Sequence, residues 1–299
     1  MCLTQMSWRH SGPGRRRIRP AMGLEVEILL RIKGNMNFLT DKIKAYKSGA
    51  IGWIEFNDPQ KHNAISMDMA EAIPTVVKEF DEDGDIRVIV LRGNGERAFA
   101  AGSNISTFGA VRNSVDQNRH YHETSERAYD AFYLCAKPTI AMINGYCIGG
   151  GLDFAASCDI RICSSTAVFS VPAGRLGVGY GYEGVIRLNR IVGQSKGRDI
   201  FFSARRYDAQ EALAMGLVHE VVSPADLLQH TTAYAENIGT NAPLTLKAIK
   251  QAYLCLEKQA RDTEMSIAQA LIDDCFSSAD YQEGRAAFAD KRTPCFKGK

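Results

Sequence analysis

The stretch Ile140–Asp159, I-A-M-I-N-G-Y-C-I-G-G-G-L-D-F-A-A-S-C-D, decides how the chain is read. Thr139, Ile140, Ala141, Met142 and Ile143 form an apolar run that reads as a buried strand. Asn144-Gly145 is a turn signal. Gly149, Gly150 and Gly151 follow, and then a small-residue helix from Leu152 to Ser157. Three glycines ahead of a helix let a ligand approach the backbone closely and leave the first helical N–H groups free to hold a negatively charged oxygen. The same pattern also serves as a tight strand-to-helix turn with no ligand, and the stretch alone does not separate the two.

Outward from this stretch the chain alternates strands and helices. Ile43–Tyr46 and Ala50–Phe56 read as a hairpin across Lys47-Ser48-Gly49. Met67–Glu79 has apolar residues at helical spacing, with Pro74 expected to kink it. Val88–Gly93 is a short, nearly all-apolar run, the mark of a strand covered on both faces. A loop of small residues follows, Ala98-Phe99-Ala100-Ala101-Gly102-Ser103-Asn104-Ile105, and then a polar helix over Ser114–Cys135 that stops before Pro138. Ile160–Cys163 and Thr166–Ser170 read as further strands, and Ala209–Met215 and Gly239–Glu257 as helices. Strands alternating with helices imply a parallel sheet with right-handed crossovers.

Composition narrows the function classes. The net charge is +2 over 299 residues, but residues 1–35 hold seven Lys/Arg and only two acids. The remainder carries 29 basic and 32 acidic residues, a net of −3, which gives no support for a nucleic-acid surface. The eight cysteines are scattered without a C-x-x-C pair and read as reduced core thiols of an intracellular, cytoplasmic protein. No apolar run reaches the roughly 18–20 residues of a membrane helix. Residues 1–35, with a triple arginine and no acid before Glu25, read either as an organelle transit peptide or as residues foreign to the native protein, from a vector or an upstream start, with Met22 and Met36 as alternative starts. The second reading is favoured, and the segment is set apart from the fold.

Several motifs recur in one order. They are Lys61-His62-Asn63-Ala64-Ile65, Phe99-Ala100-Ala101-Gly102-Ser103-Asn104-Ile105, Asn144-Gly145-Tyr146 with the triple glycine, and Cys158-Asp159-Ile160-Arg161. Leu176-Gly177, Ala209–Val218, Asp280–Phe288 and Lys291-Arg292 complete the set. Each is weak alone. Together, over Ile51–Phe296, they resemble the crotonase family, the enoyl-CoA hydratases, isomerases and their acyl-CoA-processing relatives. The resemblance implies an α/β fold with a ββα spiral core and parallel sheets over residues 36–235, and a C-terminal helical region at 236–299 that packs as a homotrimer or a hexamer. It implies an acyl-CoA thioester as substrate, with coenzyme A part of that substrate, no permanently bound cofactor and no metal.

The resemblance also assigns roles. The backbone N–H groups of Ser103 and Gly150 would hold the thioester oxygen. Lys61, Ala101, Ser103, Asn104 and Ile105 would line the coenzyme A site, which Phe288 and Lys291 would complete from a C-terminal helix, often a neighbour's. A hydratase of this family uses two glutamates, and here those positions are Asp153 and Ala173. Two carboxyls serve because one activates water while the other protonates carbon, and alanine has no proton to give. Asp153 in a first helical turn is expected to be held charged by the helix dipole, a better base than acid. Glu183, amid glycines and aromatics, is the candidate substitute, with Tyr180 beside it. Tyr180 matches a tyrosine of the methylmalonyl-CoA decarboxylase branch, to which Phe169-Ser170, Leu176–Val178 and Ile200–Ala204 are also similar. Decarboxylation of a malonyl-type thioester, and a non-catalytic coenzyme A-binding role, therefore stand beside hydration and isomerisation. His120, His122 and Glu123 read as solvated.

Overall fold

The computed structural model describes residues 40–104, 114–241, 243–257, 276–292 and 294. Residues 1–35 and Ile105 lie outside the described residues. Strands β1 (Ile43–Ser48) and β2 (Ile51–Phe56) pair antiparallel across a turn at Gly49. A short 3-10 turn at Pro59–Lys61 leads into α1 (Met67–Glu82), which runs as one continuous helix through Pro74. There follow β3 (Val88–Gly93), β4 (Ala98–Ala100), α2 (Val115–Leu134), β5 (Thr139–Ile143), β6 (Tyr146–Ile148) and α3 (Gly150–Ser157). Then come β7 (Ile160–Ser164), β8 (Val168–Ser170), α4 (Ala173–Leu176), α5 (Tyr182–Ser203, broken at Gly193), β9 (Tyr207–Asp208), α6 (Ala209–Ala214) and β10 (Glu220–Val222). Helices α7 (Leu227–Gly239), α8 (Pro243–Glu257) and α9 (Ala279–Ala289) close the chain.

The strands form two sheets, one in the order β1-β2-β3-β5-β7-β10 and one in the order β4-β6-β8-β9. Pairing is parallel except between β1 and β2 and between β8 and β9. The larger sheet is apolar on both faces, as its unbroken runs imply. One face carries Ile54, Phe56, Ile89, Leu91, Ala141 and Ile143 into the main core with α1 and α2. The other carries Trp53, Val88, Val90, Ile140, Met142 and Ile162 against Leu227 and Ala235 of α7. Each large side chain so buried contributes about 1.5–3 kcal/mol. Cys135, Cys147, Cys158 and Cys163 are buried free thiols, and burial pushes Cys135 up to about 11. Among the described residues no helix is long and apolar enough to cross a membrane.

Pro74, expected to kink α1, leaves it continuous, and Ala98–Ala100, expected as loop, is strand β4. Strand β6, unassigned from the sequence after the Asn144-Gly145 turn, sits within the second sheet between β4 and β8. The helix expected over Gly239–Glu257 begins only at Pro243, which fits a first helical turn because it needs no N–H partner there, while Gly239 ends α7. Residue 236, where the sequence places the start of the C-terminal helical region, lies within α7.

Candidate active site

The geometry of the site begins where β6 runs into α3. Gly149 caps α3 with φ 50° and ψ −119°, a conformation that L side chains avoid, and its N–H donates to the Ser170 carbonyl at 2.9 Å. Behind it, a Cβ on Gly151 would stand 2.3 Å from the Ala100 carbonyl oxygen, so only glycine lets α3 press against the end of β4. Gly150 is thereby the first residue of a helix, and its N–H has no partner within that helix. Facing it, Ser103 sits in a parallel bridge with Ile65. The bonds of that bridge run from the Ile65 N–H to the Gly102 carbonyl at 2.7 Å and from the Asn104 N–H to the Ile65 carbonyl at 2.8 Å. They leave the Ser103 N–H uncommitted among the described residues. A Cβ on Gly150 would lie 3.7 Å from the Ser103 nitrogen, so the two donors are neighbours. Both residues line one cavity of about 90 Å³, with Ala101, Ala173, Leu176 and Tyr180 also in its wall.

Asp153, one turn into α3, is buried behind that wall. The Tyr180 hydroxyl donates to its Oδ2, and the Nη1 of Arg187 donates to its Oδ1 at 3.2 Å. The Nη2 of Arg187 donates to Glu126 Oε2 at 2.6 Å, and its guanidinium lies over the Tyr129 ring at 4.8 Å. One arginine from α5 thus bridges a carboxyl on α3 and a carboxyl on α2. Burial raises Asp153 above the usual carboxylate range, against the opposing pull of Arg187 and Tyr180. The expectation that the helix dipole would decide its charge is corrected: desolvation outweighs it. Burial also pushes Glu126 up to about 7 in spite of Arg187, and it raises the Tyr180 and Tyr129 hydroxyls, both facing Asp153.

The remaining sequence candidates fall into two groups. Lys61 and His62 lie beside the 101–104 segment, the His62 carbonyl accepting from the Ala101 N–H at 3.0 Å. Ala101, Ser103 and Asn104 are at the cavity or adjoin it, with Asn104 buried. Glu183, in the first turn of α5, is half-buried and does not line the cavity. Its neighbour Gly184 does the close packing: a Cβ there would stand 2.6 Å from the Tyr180 ring and 3.1 Å from Asp153 Oδ1. Phe288 and Lys291, at the end of α9, are exposed and outside the cavity wall. Helix α9 itself packs on α4, with Tyr281 and Phe276 against Val178 of the wall.

Sequence reasoning missed Glu126, Tyr129 and Arg187, and it misread His122. That imidazole is half-buried and acts electrostatically on Asp153, with its Nε2 2.3 Å from where a Gly181 Cβ would stand. His120 and Glu123 are exposed, as expected. The spacing of His122, Glu126 and Tyr129, i, i+4 and i+7 along α2, was the available signal.

With this geometry in hand, comparison with known proteins is direct. Residues 46–299 match the family model for enoyl-CoA hydratase/isomerase. The chain is 34% identical over 246 residues to the short-chain-enoyl-CoA hydratase of Clostridium acetobutylicum, covering 82% of this chain and 94% of that protein. It is similar to the crystal structure of an enoyl-CoA hydratase/carnithine racemase from Magnetospirillum magneticum, with 32% identity, TM-score 0.72, and coverage of 87% of this chain and 97% of that one. It is also similar to a methylmalonyl-CoA decarboxylase solved in complex with 2-nitronate-propionyl-CoA, with 30% identity, TM-score 0.79, and coverage of 86% and 99%. The fold has the crotonase architecture of these structures, and the chain belongs to the enoyl-CoA hydratase/isomerase family.

Proposed function

We propose that this chain acts on a coenzyme A thioester by forming an enolate, whose oxygen is held by the N–H groups of Ser103 and Gly150. The observation that carries the reading is the pair of uncommitted donors facing one small cavity whose described wall holds no carboxylate. Each such donor is worth about 100- to 1,000-fold in rate. The proton is carried by Tyr180 and Asp153. The Tyr180 anion is disfavoured by burial, so its hydroxyl relays in both directions: it passes its proton to Asp153 Oδ2 as it takes one from the α carbon or from water when the enolate forms, and takes that proton back from Asp153 as it protonates the enolate carbon. A carboxyl raised by burial is suited to keep that proton. Lys61, Ala101, Asn104 and Ile105 hold the nucleotide end of coenzyme A, which enters as part of the substrate. Phe288 and Lys291 complete that site within a homotrimer or a hexamer.

The leading reaction is of enoyl-CoA hydratase/isomerase type with a single proton carrier. A second reading, decarboxylation of a malonyl-type thioester, is favoured by Ala173. A glutamate there would repel a substrate carboxylate, and alanine leaves the space neutral. The likeness to the methylmalonyl-CoA decarboxylase structure supports the same reading. Incubation with crotonyl-CoA and with methylmalonyl-CoA, followed by product chromatography, separates the two. Turnover of either supports enolate chemistry. Tight binding of acyl-CoA esters with turnover of none makes the chain a coenzyme A-binding scaffold and overturns the proposal.

A further inference from the structure

The Arg187 guanidinium stands between two buried carboxyls, 3.2 Å from Asp153 Oδ1 and 2.6 Å from Glu126 Oε2. All three side chains are enclosed, with relative exposures of 11% for Asp153, 19% for Glu126 and 7% for Arg187. Two ionised carboxylates on one guanidinium would leave an uncompensated negative charge in this setting, which is costly. Helix α2 brings His122, Tyr129 and Asp130 to the pair, α5 brings Arg187, and the segment ahead of α5 brings Tyr180. Asp130 disfavours charge on Glu126, and His122 favours it on Asp153. Tyr129 and Tyr180 are neutral, and Arg190 on α5 donates to the Tyr133 hydroxyl at 2.9 Å. Among the contacts described, Arg187 is the cation that hydrogen-bonds both acids.

We propose that Glu126 is a positioning residue that competes with Asp153 for Arg187, and so sets whether Asp153 stands behind the cavity wall as an acid or as a carboxylate. The pair shares one proton, and its two titrations belong to the pair. The burial-driven rise of both carboxyls agrees with this sharing. The inference rests on the reading of Asp153 as a proton carrier, but its test does not need turnover.

The test is a pH titration by infrared difference spectroscopy, following the protonated-carboxyl band of Asp153, assigned by its loss in Asp153→Asn. Glu126→Gln keeps the shape and a hydrogen-bond acceptor for Arg187 but removes the competing charge. Its Asp153 midpoint should fall by about one pH unit or more. Glu126→Asp, which keeps the charge, should stay near the wild type. The limb of the kcat–pH profile set by Asp153 should move down by the same amount in Glu126→Gln. An Asp153 midpoint that does not move in a folded Glu126→Gln variant overturns the proposal. If that variant does not fold, the reciprocal experiment decides. In Asp153→Asn the Glu126 midpoint should fall by a similar shift, and an unmoved midpoint is equally fatal. Full turnover by Asp153→Asn would instead remove Asp153 from the reaction while leaving the shared titration to stand or fall on its midpoints.

Discussion

Tyr180→Phe removes one hydroxyl and little else. The ring keeps its edge contact with Phe201, whose centroid lies 4.9 Å away, so the cavity keeps its shape. Asp153 loses its bond from Tyr180 and keeps the one from Arg187 at 3.2 Å. A buried hydrogen bond to a charged or chargeable carboxyl is worth about 1.5–3 kcal/mol, which bounds the loss of stability. The kinetic effect should be larger. A positioned proton donor contributes about 100- to 10,000-fold, or roughly 3–5 kcal/mol of barrier. Steady-state kinetics on the accepted thioester should show kcat down by at least 100-fold, with KM changed little. The pH response has a definite sign. The Tyr180 hydrogen bond lowers the Asp153 pKa, so deleting it raises that pKa further, and residual activity that needs the protonated carboxyl extends to higher pH. A folded Tyr180→Phe variant with kcat within threefold of wild type refutes the relay, even if its melting temperature falls.

Two other outcomes follow from the same geometry, and a third from the proposed assembly. Gly184→Ala puts a methyl 2.6 Å from the Tyr180 ring and 3.1 Å from Asp153, so it should cost about 1–3 kcal/mol in stability and lower kcat at least tenfold; unchanged melting and unchanged kcat would contradict the packing. Lys250→Met breaks the bonds from a buried ammonium to Asp159 Oδ2 at 2.8 Å and to the Lys137 and Phe132 carbonyls at 3.0 and 3.3 Å. With Asp159 about a third exposed, denaturant unfolding should show a loss near 2–4 kcal/mol, and hydrogen exchange should rise across α8. Sedimentation should give a trimer or a hexamer; a stable monomer with full activity would rule out a coenzyme A site completed between subunits.

Much of the architecture was legible in the sequence. Apolar runs located β2, β3, β5 and β7, because a strand covered on both faces needs no alternation. The three-residue β6 was not legible, since glycines flank it and its partners are supplied by other strands. The triple glycine pointed to a close backbone approach, which the Gly151 contact with Ala100 explains. In the sequence only the helix dipole on Asp153 is visible, a local property, whereas burial, a tertiary one, raises its pKa. Glu183 looked placed for chemistry because it adjoins Tyr180 in sequence. Successive residues of a helix diverge by about 100°, and it is Gly184 that faces the site. Glu126 and Arg187 are 61 residues apart, and only the packing of α2 on α5 makes them partners.

The central claim is that a thioester enolate forms between Ser103 and Gly150, and exchange of the substrate's α-proton tests it most directly. A saturated acyl-CoA such as butyryl-CoA, incubated with the protein in deuterium oxide, should gain deuterium at the α carbon, read by mass spectrometry. Gly150→Pro deletes one N–H at the first position of α3, where its Cβ would stand 2.9 Å from the Tyr129 hydroxyl and must displace it; checked for folding by circular dichroism, it should lose that exchange by about 100-fold or more. Exchange by folded Gly150→Pro at the wild-type rate, or no exchange by a wild-type protein that binds the thioester, would contradict the account.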